Sequence, residues 1–405
     1  MVTLAAPEAP ASAGTFAGVR GRDGFFRAGR DAAGRWWLLD PESLPCLLRC
    51  VHGVRAAGGA DDGALPRDPA ARLRAWGFNA AGISPAAVQD DGLPFLATAE
   101  LAEAGVRLTG PGLSLPDVFD PDWPRRAEAR AREVCTPLSG DRALVGWVSD
   151  DGLAWAGHAA GGRPSLLQQC LSLEPSHAAY HAAWEFTLAL HGGGLEAVAR
   201  AWGVPLPNKE VVRGMTRAEE GITTRGYLRD QARWTAEFAR RYFATASGAL
   251  RGADGNHLVL GCRFRGPVGT EVLAKCVYPA VDVALPHWRD LPPAGAQGAA
   301  QPVLAGELSW VEPDFLKAPP AMWAARLTSV ELMLRRGRAQ LERLARHPAV
   351  VGYAWSAWAD EPGEQPPFAR GLVHINGAEA REHTELLTAF NLRAESLRQI
   401  SSSSH

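Results

Sequence analysis

Short apolar runs alternate with amphipathic helical stretches along most of the 405 residues. This alternation is typical of a parallel α/β fold rather than of a β-sandwich. The apolar runs predicted as strands lie at 45–54, 77–83, 105–110, 143–150, 257–264, 280–288, 302–310 and 350–358. Parallel strands in this number, with helices between them, favour a (β/α)8 TIM barrel, which commonly occupies roughly 250 residues or more as one domain.

The remaining segments are predicted to elaborate this barrel. Residues 25–40 are expected to form an N-terminal β-hairpin, because DAAG supplies turn residues between two aromatic-rich runs. The stretch at about 157–223 is too long for one crossover helix, so it is predicted as a helical insertion after strand four, at the rim of the active site. Residues 16–395 then form one domain, between a disordered segment at 1–15 and a tail at 396–405 whose SSSSH resembles a tag remnant.

The charge balance argues against several classes of partner. The formal net charge is -2 and no long block of one sign is present, so no electrostatic footprint for nucleic acid or an anionic membrane is expected. No stretch approaches the roughly 20 apolar residues of a membrane helix, and no leader is recognisable, so a cytoplasmic location is expected. A small neutral or modestly polar molecule is the expected ligand.

Cysteine usage and motifs predict neither a metal nor a cofactor. The six cysteines are scattered, mostly in apolar surroundings, and are expected to be reduced core thiols. Cys46 and Cys50 are not accompanied by a second Cys/His pair with zinc-like spacing. P-loop, dinucleotide-binding, zinc-protease and serine-hydrolase motifs are absent from the sequence. The sequence indicates no particular oligomeric state.

Polar and aromatic residues that close the apolar runs are the candidate site residues, because the active site of a barrel lies at the C-terminal ends of its strands. The residues expected to contact the ligand are His52, Asn79, Arg263, Trp155, Trp288, Trp310, Trp355 and Trp358. The tryptophan rings suit the apolar faces of sugar rings or of other cyclic ligands. Two or three of them are expected to contact the ligand, and the others to belong to the core.

Glu307 is the strongest catalytic candidate. It lies within PVLAGELSW, which otherwise has the pattern of a buried strand, and burying a carboxylate is costly without a partner or a purpose. A structural ion pair with Arg263 or another basic residue is the alternative, and the pairing and a catalytic role can coexist. His287 is a candidate acid/base because an unperturbed histidine has a pKa of about 6.5. The alternative for His287 is a hydrogen-bonded residue that orients Glu307.

A set of stretches, taken together in their order, carries a family resemblance. They are GRWWLLDPESLPCLL, RLRAWGFNAAGI, LPDVFDPDW, LVGWVSDDGLAW, LEAVARAWG, FARRYFATASGALRGADGNHLVLGCRF, PVLAGELSW and HPAVVGYAWSAWADEP. From about residue 34 to 375 the chain resembles the agarase-like branch of the clan A glycoside hydrolases. The resemblance implies a (β/α)8 barrel with an acid/base glutamate ending strand four and a nucleophilic glutamate ending strand seven. Glu307 falls on the nucleophile position.

At strand four the same resemblance implies that the proton donor is missing. The family pattern there is close to G-Y-F-x-D-N-E-L-x-W, and it places Asp150 on the aspartate, Asp151 on the asparagine and Gly152 on the glutamate. Successive strand residues face opposite sides, so in a regular strand Asp151 is a poor substitute for a glutamate at position 152. Asp150 faces the same side as position 152 but lies about 6.6 Å nearer the barrel interior. A backbone change that Gly152 tolerates can swing Asp151 inward.

Three functions remain as alternatives. The first is a glycoside-hydrolase-like enzyme with altered chemistry on a small sugar-like or cyclic metabolite. It has Glu307 as nucleophile or general base but lacks the usual acid, and a specialised biosynthetic pathway is an example of where it would work. The second is a working glycosidase with Asp151 or Asp150 as the acid. The third is a non-catalytic sugar or metabolite binder. The sequence favours an enzyme, although fold analogy by itself does not establish function.

Overall fold

Short strands and long helices alternate in the computed structural model of the protein. The structure describes residues 15–55, 68–84, 92–155, 163–264, 268–293, 300–311, 330–362, 364 and 369–400. The strands are β1 (Ala17–Arg20), β2 (Arg27–Arg30), β3 (Trp36–Leu39), β4 (Pro45–Cys46), β5 (Leu48–Val51), β6 (Ala80–Ile83), β7 (Phe95–Thr98), β8 (Arg107–Gly110), β9 (Leu113–Pro116), β10 (Leu144–Trp155), β11 (Leu258–Phe264), β12 (Val303–Leu308) and β13 (Val350–Trp355).

The helices cover both the crossovers and the predicted insertion. They are α1 (Pro69–Ala75), α2 (Trp123–Cys135), α3 (Leu166–Leu171), α4 (Ala178–Leu190), α5 (Leu195–Trp202), α6 (Glu210–Arg217), α7 (Arg225–Ala253), α8 (Thr270–Val272), α9 (Val330–Arg346), α10 (Arg381–Asn391) and α11 (Ala394–Ile400). A π-helical turn (Leu273–Val277) continues α8, and 3₁₀ turns lie at Leu101–Ala104, Thr136–Leu138 and Trp288–Asp290. In the described part of the chain, no helix combines the length and apolar character needed to cross a membrane.

A curled sheet of parallel strands positions the strand ends. In spatial order its strands are β12, β13, β5, β6, β7, β10 and β11. The segment 284–287 lies beside β12 through two isolated parallel bridges, Ala284 with Val303 and His287 with Gly306. Most residues of these strands are buried, as a parallel sheet flanked by helices requires. The C-terminal ends of the strands therefore meet at one edge of the sheet.

The third parallel strand differs from the prediction. The run 105–110 is not a parallel strand, because Arg107–Gly110 forms an antiparallel hairpin with β9. The strand between β6 and β10 is instead β7. Three of the four residues of β7 are buried, whereas three of the four residues of β8 are exposed, so only β7 suits an inner position. The prediction at 105–110 is wrong, and the true third strand ends at Thr98, twelve residues before the end of the predicted run.

The hairpin predicted at 25–40 is confirmed, and it belongs to a four-stranded antiparallel sheet of β1 to β4. Its turn is fixed by Asp31, whose carboxylate accepts hydrogen bonds from the backbone N–H groups of Ala33 and Arg35, both at 2.9 Å. Aspartate side chains commonly fold back on the following backbone in this way. All four residues of β3 are buried, so the hairpin packs on the core rather than projecting from it.

The helical insertion predicted after strand four is present as α3 to α6. The longer α7 follows, and it begins at Thr224, whose side chain accepts a hydrogen bond from the Tyr227 backbone N–H. Trp234, Phe238 and Tyr242 lie at helical spacing on α7 and are fully buried. This aromatic stripe holds α7 against the sheet and brings the Tyr242 hydroxyl to β10.

Helix α11 extends past the predicted boundary at 396. Helix α11 continues to Ile400, and the Arg398 side chain is 1% exposed. Its guanidinium donates to the backbone carbonyl oxygens of Trp36 at 2.6 Å and His347 at 3.1 Å. Burial lowers the pKa of Arg398 to about 9. Residues 396–400 are therefore part of the fold, because they tie the N-terminal sheet to the loop before β13.

We expect the substitution Arg398→Ala to lower the free energy of unfolding by roughly 2–4 kcal/mol, because it leaves buried carbonyl oxygens without donors. The exposed Arg393→Ala, one turn earlier, is the matched control, with an effect of about 0.5 kcal/mol or less. Chemical denaturation of both variants measures the difference. Equal stability of the two variants would show that the segment from 396 is a dispensable tail.

A buried carboxyl group lies directly beneath the C-terminal end of β10. Asp150 is fully buried, the Ala102 backbone N–H donates to one of its carboxyl oxygens at 2.7 Å, and the Tyr242 hydroxyl is hydrogen-bonded to the other. Tyr242 also contacts the Ser149 hydroxyl at 2.8 Å. Burial raises the pKa of Asp150 to about 7. This network links β10 to α7 and to the 3₁₀ turn after β7.

Because the pKa of Asp150 is raised on folding, its protonated form stabilises the native state, and this contribution is lost as the pH rises from about 4 to about 7. Asp150→Asn mimics the protonated form: its amide can donate to Tyr242 while its oxygen accepts from Ala102. Across that pH window we expect the free energy of unfolding of the variant to rise relative to that of the unaltered protein, by on the order of a few kcal/mol. Denaturation curves at each pH measure this, and parallel pH profiles would contradict it.

Candidate active site

Three charged side chains from three strands meet at the C-terminal edge of the sheet. Arg263 on β11 donates from Nε to a carboxylate oxygen of Glu307 on β12, and from Nη1 to Oδ1 of Asp151 on β10 at 2.7 Å. The side chains of Asp151, Arg263 and Glu307 are 32%, 22% and 18% exposed. The cluster is thus partly exposed to solvent.

Arg263 carries the charge that holds the two carboxylates together. Burial lowers the pKa of Arg263, but the attraction of Glu307 and Asp151 more than offsets this and raises it overall. A planar guanidinium presents several donors in a fixed fork, which suits two carboxylates at once. The ion pair weighed as an alternative for Glu307 is therefore present, and it lies in a solvent-open cluster rather than in a closed core.

The backbone at Glu307 has an unusual conformation. Its φ is +54°, in the left-handed region that a residue other than glycine enters at a cost of roughly 1–2 kcal/mol. The β12 register with β13 also shifts between Ala305 and Leu308. Strain of this kind persists where the surrounding structure fixes it, and such positions cluster at functional sites. Here it sets the direction in which the carboxylate leaves the strand.

Strand β10 continues past Asp151, its residue in the cluster, to Trp155. Gly152 has a φ of +72°, and beyond it Ala154 and Trp155 pair antiparallel with β9. Asp151 lies opposite Arg263 in the β10–β11 register, which shifts on either side of it. The glycine conformation therefore redirects the strand while Asp151 contacts Arg263. Asp150, one residue earlier, points into the buried network under β10 and not into this cluster.

The two histidines expected in the site lie at strand ends close to the cluster. The Nδ1 atom of His287 accepts a hydrogen bond from the Arg289 backbone N–H at 3.2 Å, and its main chain bridges to Gly306, the residue before Glu307. Burial, reinforced by the positive charge of Arg289, lowers the pKa of His287 to about 4. His287 is therefore neutral near pH 7, which favours an orienting role over that of an acid.

His52 follows β5 and is almost fully buried. Its Nδ1 atom accepts from the Ile83 backbone N–H at 3.1 Å, so the proton of the neutral ring lies on Nε2. Burial, together with the charge of Arg263, lowers the pKa of His52 well below its usual value. Its Nε2 atom has no hydrogen-bond partner among the described residues. A buried donor in this state is available to a ligand.

A second buried polar group of this kind was not predicted from the sequence. Ser356 follows β13, is 8% exposed, and its hydroxyl also finds no partner within the described ranges. Its main chain bonds to Leu308 at 3.0 Å, and that of His52 bonds to Trp355 at 3.1 Å, so the two groups lie at adjacent strand ends. A serine is common in loops, so the sequence alone carries no signal for this position.

The structure places most of the candidate tryptophans in the core. Trp310 and Trp355 are fully buried and Trp358 is 5% exposed. The indole N–H of Trp310 donates to His383 at 3.0 Å, and that of Trp355 to a backbone carbonyl oxygen at 2.9 Å. Trp310 packs against Trp355 and Trp358 packs against Trp76, so these three rings do not form an open aromatic floor.

The other two tryptophans are half-buried. Trp155 packs against Phe238, Tyr242, Phe243 and Phe264. Trp288 stacks on His287 with ring centroids 6.0 Å apart. The main chain of His287, the neighbour of Trp288, bridges to Gly306, the residue before Glu307.

Asn79 lies away from the other candidates. It precedes β6, at the N-terminal end of that strand, whereas Arg263 and Glu307 lie at C-terminal ends. Its side-chain oxygen accepts from the Arg49 backbone N–H at 2.8 Å, and its side-chain nitrogen donates to the Leu47 carbonyl oxygen at 3.0 Å. The asparagine is therefore engaged in joining β5 to β6 at the opposite end of the sheet.

Two charged residues near the cluster were missed by the sequence analysis. Glu100 follows β7, and its carboxylate accepts from the Thr98 hydroxyl at 3.0 Å. Its pKa is affected by the backbone N–H and the charge of Asp151. Arg370 lies in the segment after β13, where burial lowers its pKa, while Glu364 and, at longer range, Glu307 raise it overall. The signal for Glu100 was an acidic residue closing the apolar run LPFLATA.

Within the described part of the chain, no group of three or more His, Cys, Asp or Glu side chains is arranged to hold a metal ion. The chemistry available at this edge of the sheet is that of carboxyl groups, guanidinium groups and neutral imidazoles. Such a set can orient a polyhydroxylated ligand and move protons.

Comparison with known proteins gives this arrangement a context. No protein-family model matches the chain. The beta-agarase A of Vibrio sp. (strain JT0107) is 24% identical over 318 residues, which make up 72% of this chain and 31% of that protein. The chain thus spans about a third of the length of this curated relative.

Solved structures resemble the fold over nearly the whole chain. BpGH50 superimposes with a TM-score of 0.69 at 15% identity, covering 96% of this chain and 86% of that one. An exo-beta-agarase superimposes with a TM-score of 0.66 at 18% identity, covering 96% of this chain and 68% of that one. At these identities the structural likeness establishes the fold alone. With the sequence match to the Vibrio protein, it shows that this chain has a glycoside-hydrolase-like fold related to the agarases.

Proposed function

We propose that the chain is a glycoside-hydrolase-like (β/α)8 barrel enzyme that acts on a small saccharide or sugar-like metabolite, with Glu307 as its nucleophile. The observation that carries the proposal is the Glu307 carboxylate itself: it leaves a buried strand in a left-handed backbone conformation, reaches solvent and is held by Arg263. A carboxylate kept in one geometry by a fixed donor is what nucleophilic catalysis at a sugar carbon needs.

Closure of the barrel by the segment 282–287 belongs to this proposal. The Asp282 backbone N–H donates to Val259 on β11 at 2.9 Å. On the other side, Leu304 and Gly306 of β12 donate to Ala284 and Pro286, both at 2.8 Å. These bonds support a sixth strand between β11 and β12, which would join the two ends of the curled sheet. In such a barrel Glu307 ends strand seven and Gly152 takes the position of the strand-four glutamate.

The polar groups around the cluster support a saccharide as the ligand. The buried Nε2–H of His52 and the hydroxyl of Ser356 have no partner among the described residues, and Asp151 is partly exposed. Sugar hydroxyls both donate and accept, so they can satisfy such groups on binding. The named relative is an agarase, which also favours a sugar. A small intracellular sugar-like metabolite is the proposed case.

The strand-four aspartates do not favour the second alternative, a glycosidase that uses one of them as its acid. Asp150 is fully buried and engaged with Ala102 and Tyr242. Asp151 is ion-paired with Arg263 at 2.7 Å. A carboxylate in an ion pair with a guanidinium is a poor proton donor. The proposed enzyme therefore has its nucleophile in place but lacks an acid on strand four.

We expect Glu307→Gln to reduce the turnover of activated aryl glycosides by about 1,000-fold or more while leaving ligand affinity nearly unchanged. The amide preserves the shape of the side chain but cannot bond to a sugar carbon. Glu271→Gln, at an exposed glutamate paired with Lys275, serves as the control and should retain full activity. Steady-state kinetics and binding titrations give both quantities. A chain that binds saccharides equally well with and without the substitution, and cleaves none, is a binder and not an enzyme.

We expect Arg263→Met to lower kcat by about 100-fold, because Glu307 loses the donor that fixes its orientation. The kcat of Arg263→Lys should lie between those of the unaltered protein and Arg263→Met, since an ammonium group keeps the charge but not the planar fork. Removing the cation also leaves two carboxylates facing each other, so a loss of stability of roughly 3 kcal/mol accompanies the change. Kinetics and thermal unfolding separate these effects. A kcat within threefold of the original for Arg263→Met would contradict the orienting role.

A further inference from the structure

Glu100 lies next to the position at which strand four lacks a glutamate. β7 and β10 are parallel neighbours, with Thr98 opposite Val148, and the Ala99 backbone N–H donates to the Val148 carbonyl oxygen at 3.0 Å. The chain then turns at Glu100, whose carboxyl group lies near enough to Asp151 for the backbone N–H and the charge of Asp151 to affect its pKa. Asp151 directly precedes Gly152. A carboxyl group from strand three therefore lies within one residue of the Gly152 backbone.

The backbone at Glu100 has a left-handed conformation like that at Glu307. Among the described residues, the non-glycine residues with positive φ are Ser43, Glu100, Glu219 and Glu307. Ser43 closes a turn before β4 and Glu219 follows the end of α6. The other two are glutamates at the C-terminal edge of the same sheet, with φ of +48° and +54°. Left-handed conformations at a strand end are costly, so their presence at both glutamates points to a shared requirement for side-chain direction.

The surroundings of Glu100 raise the pKa of its carboxyl group. The residue is half-buried, and its Oε1 atom is held by the Thr98 hydroxyl at 3.0 Å. Burial raises the pKa of Glu100, and the charges of Asp151 and Glu103 raise it further, whereas the Thr98 hydroxyl and the Asp151 backbone N–H act in the opposite direction. Glu307, in contrast, is paired with a guanidinium. Two carboxyl groups whose environments differ in this way suit the acid and the nucleophile of a glycosidase.

We propose that Glu100 is the general acid of this site, so that strand three supplies the proton donor that strand four lacks. The inference rests on the proposed function, because it requires a glycoside bound between Glu100 and Glu307. It differs from that function in assigning the missing proton to a particular residue. The ligand it implies is a glycoside whose leaving oxygen lies on the β7 side of the cluster.

The proposed reaction balances in two steps. In the first, the glycosidic C–O bond breaks, its electron pair stays with the leaving oxygen, that oxygen takes the proton of Glu100, and a Glu307 oxygen bonds to the anomeric carbon. In the second, water attacks the anomeric carbon, the Glu100 carboxylate takes one water proton, and the bond to Glu307 breaks with its electron pair returning to the carboxylate. The sum is the addition of one water across the glycosidic bond.

The test compares leaving groups in the full chain. Matched phenyl and dinitrophenyl glycosides of the common pyranoses are the probes, and kcat/KM reports the first step. A dinitrophenolate is a good leaving group that departs without protonation, whereas a phenolate is a poorer one whose departure depends on it. We expect Glu100→Gln to lose about 100-fold or more on the phenyl glycosides and less than about threefold on the dinitrophenyl ones. Glu271→Gln, at the exposed glutamate paired with Lys275, is the control.

Further variants keep the outcome decisive. Glu100→Gly removes the carboxyl group and suits the positive φ, so it provides a folded variant should Glu100→Gln be unstable. The proposal is overturned, and Asp151 becomes the donor, if Asp151→Asn loses activity on the phenyl but not the dinitrophenyl glycosides and neither Glu100 variant does so. Equal losses on both leaving groups for the Glu100 variants also overturn it, with the proposed function still standing. If the unaltered chain cleaves none of the glycosides, the proposed function itself fails.

Discussion

The contact of one guanidinium with two carboxylates is the interaction on which the site depends. Arg263 reaches from β11 to Asp151 on β10 and to Glu307 on β12. Without a cation between them, two carboxylates in a partly desolvated cleft repel each other, and one is driven to hold a proton. With the cation present, both can be ionised and fixed. The position of Glu307 therefore depends on the register of three separate strands.

Backbone conformation distributes the acidic groups around this cation. Gly152, with a φ of +72°, lets β10 pass from its parallel neighbours into an antiparallel pairing with β9, which places Asp151 against Arg263. Glu100 and Glu307 both leave their strands from left-handed positions. One carboxyl group is thereby paired with a cation, while burial raises the pKa of the other. This is a division of roles between carboxyl groups that acid/base chemistry uses widely.

The sequence predicted much of the parallel sheet, because its strands are apolar runs buried on both faces. It also offered an ion pair of Glu307 with Arg263 or another basic residue as an alternative, since a carboxylate within a buried strand requires a cation or a function. It missed Glu100 because β7 and β8 are equally short, and only their tertiary neighbours make one buried and the other exposed. The roles of Trp310 and Trp355 also depend on distant partners: His383 and the backbone of Arg370 satisfy their indoles. Local sequence cannot separate such core rings from ligand-binding ones.

Covalent trapping tests the central claim, that the Glu307 carboxylate is the nucleophile of the cleft, most directly. A fluorinated glycoside with an activated leaving group forms the glycosyl–enzyme bond quickly and loses it slowly, so the adduct accumulates. Mass spectrometry of the labelled and digested protein should show one added glycosyl group on the peptide that contains Glu307. A label on any other residue, or an unlabelled protein under conditions in which the reagent is consumed, would contradict this account.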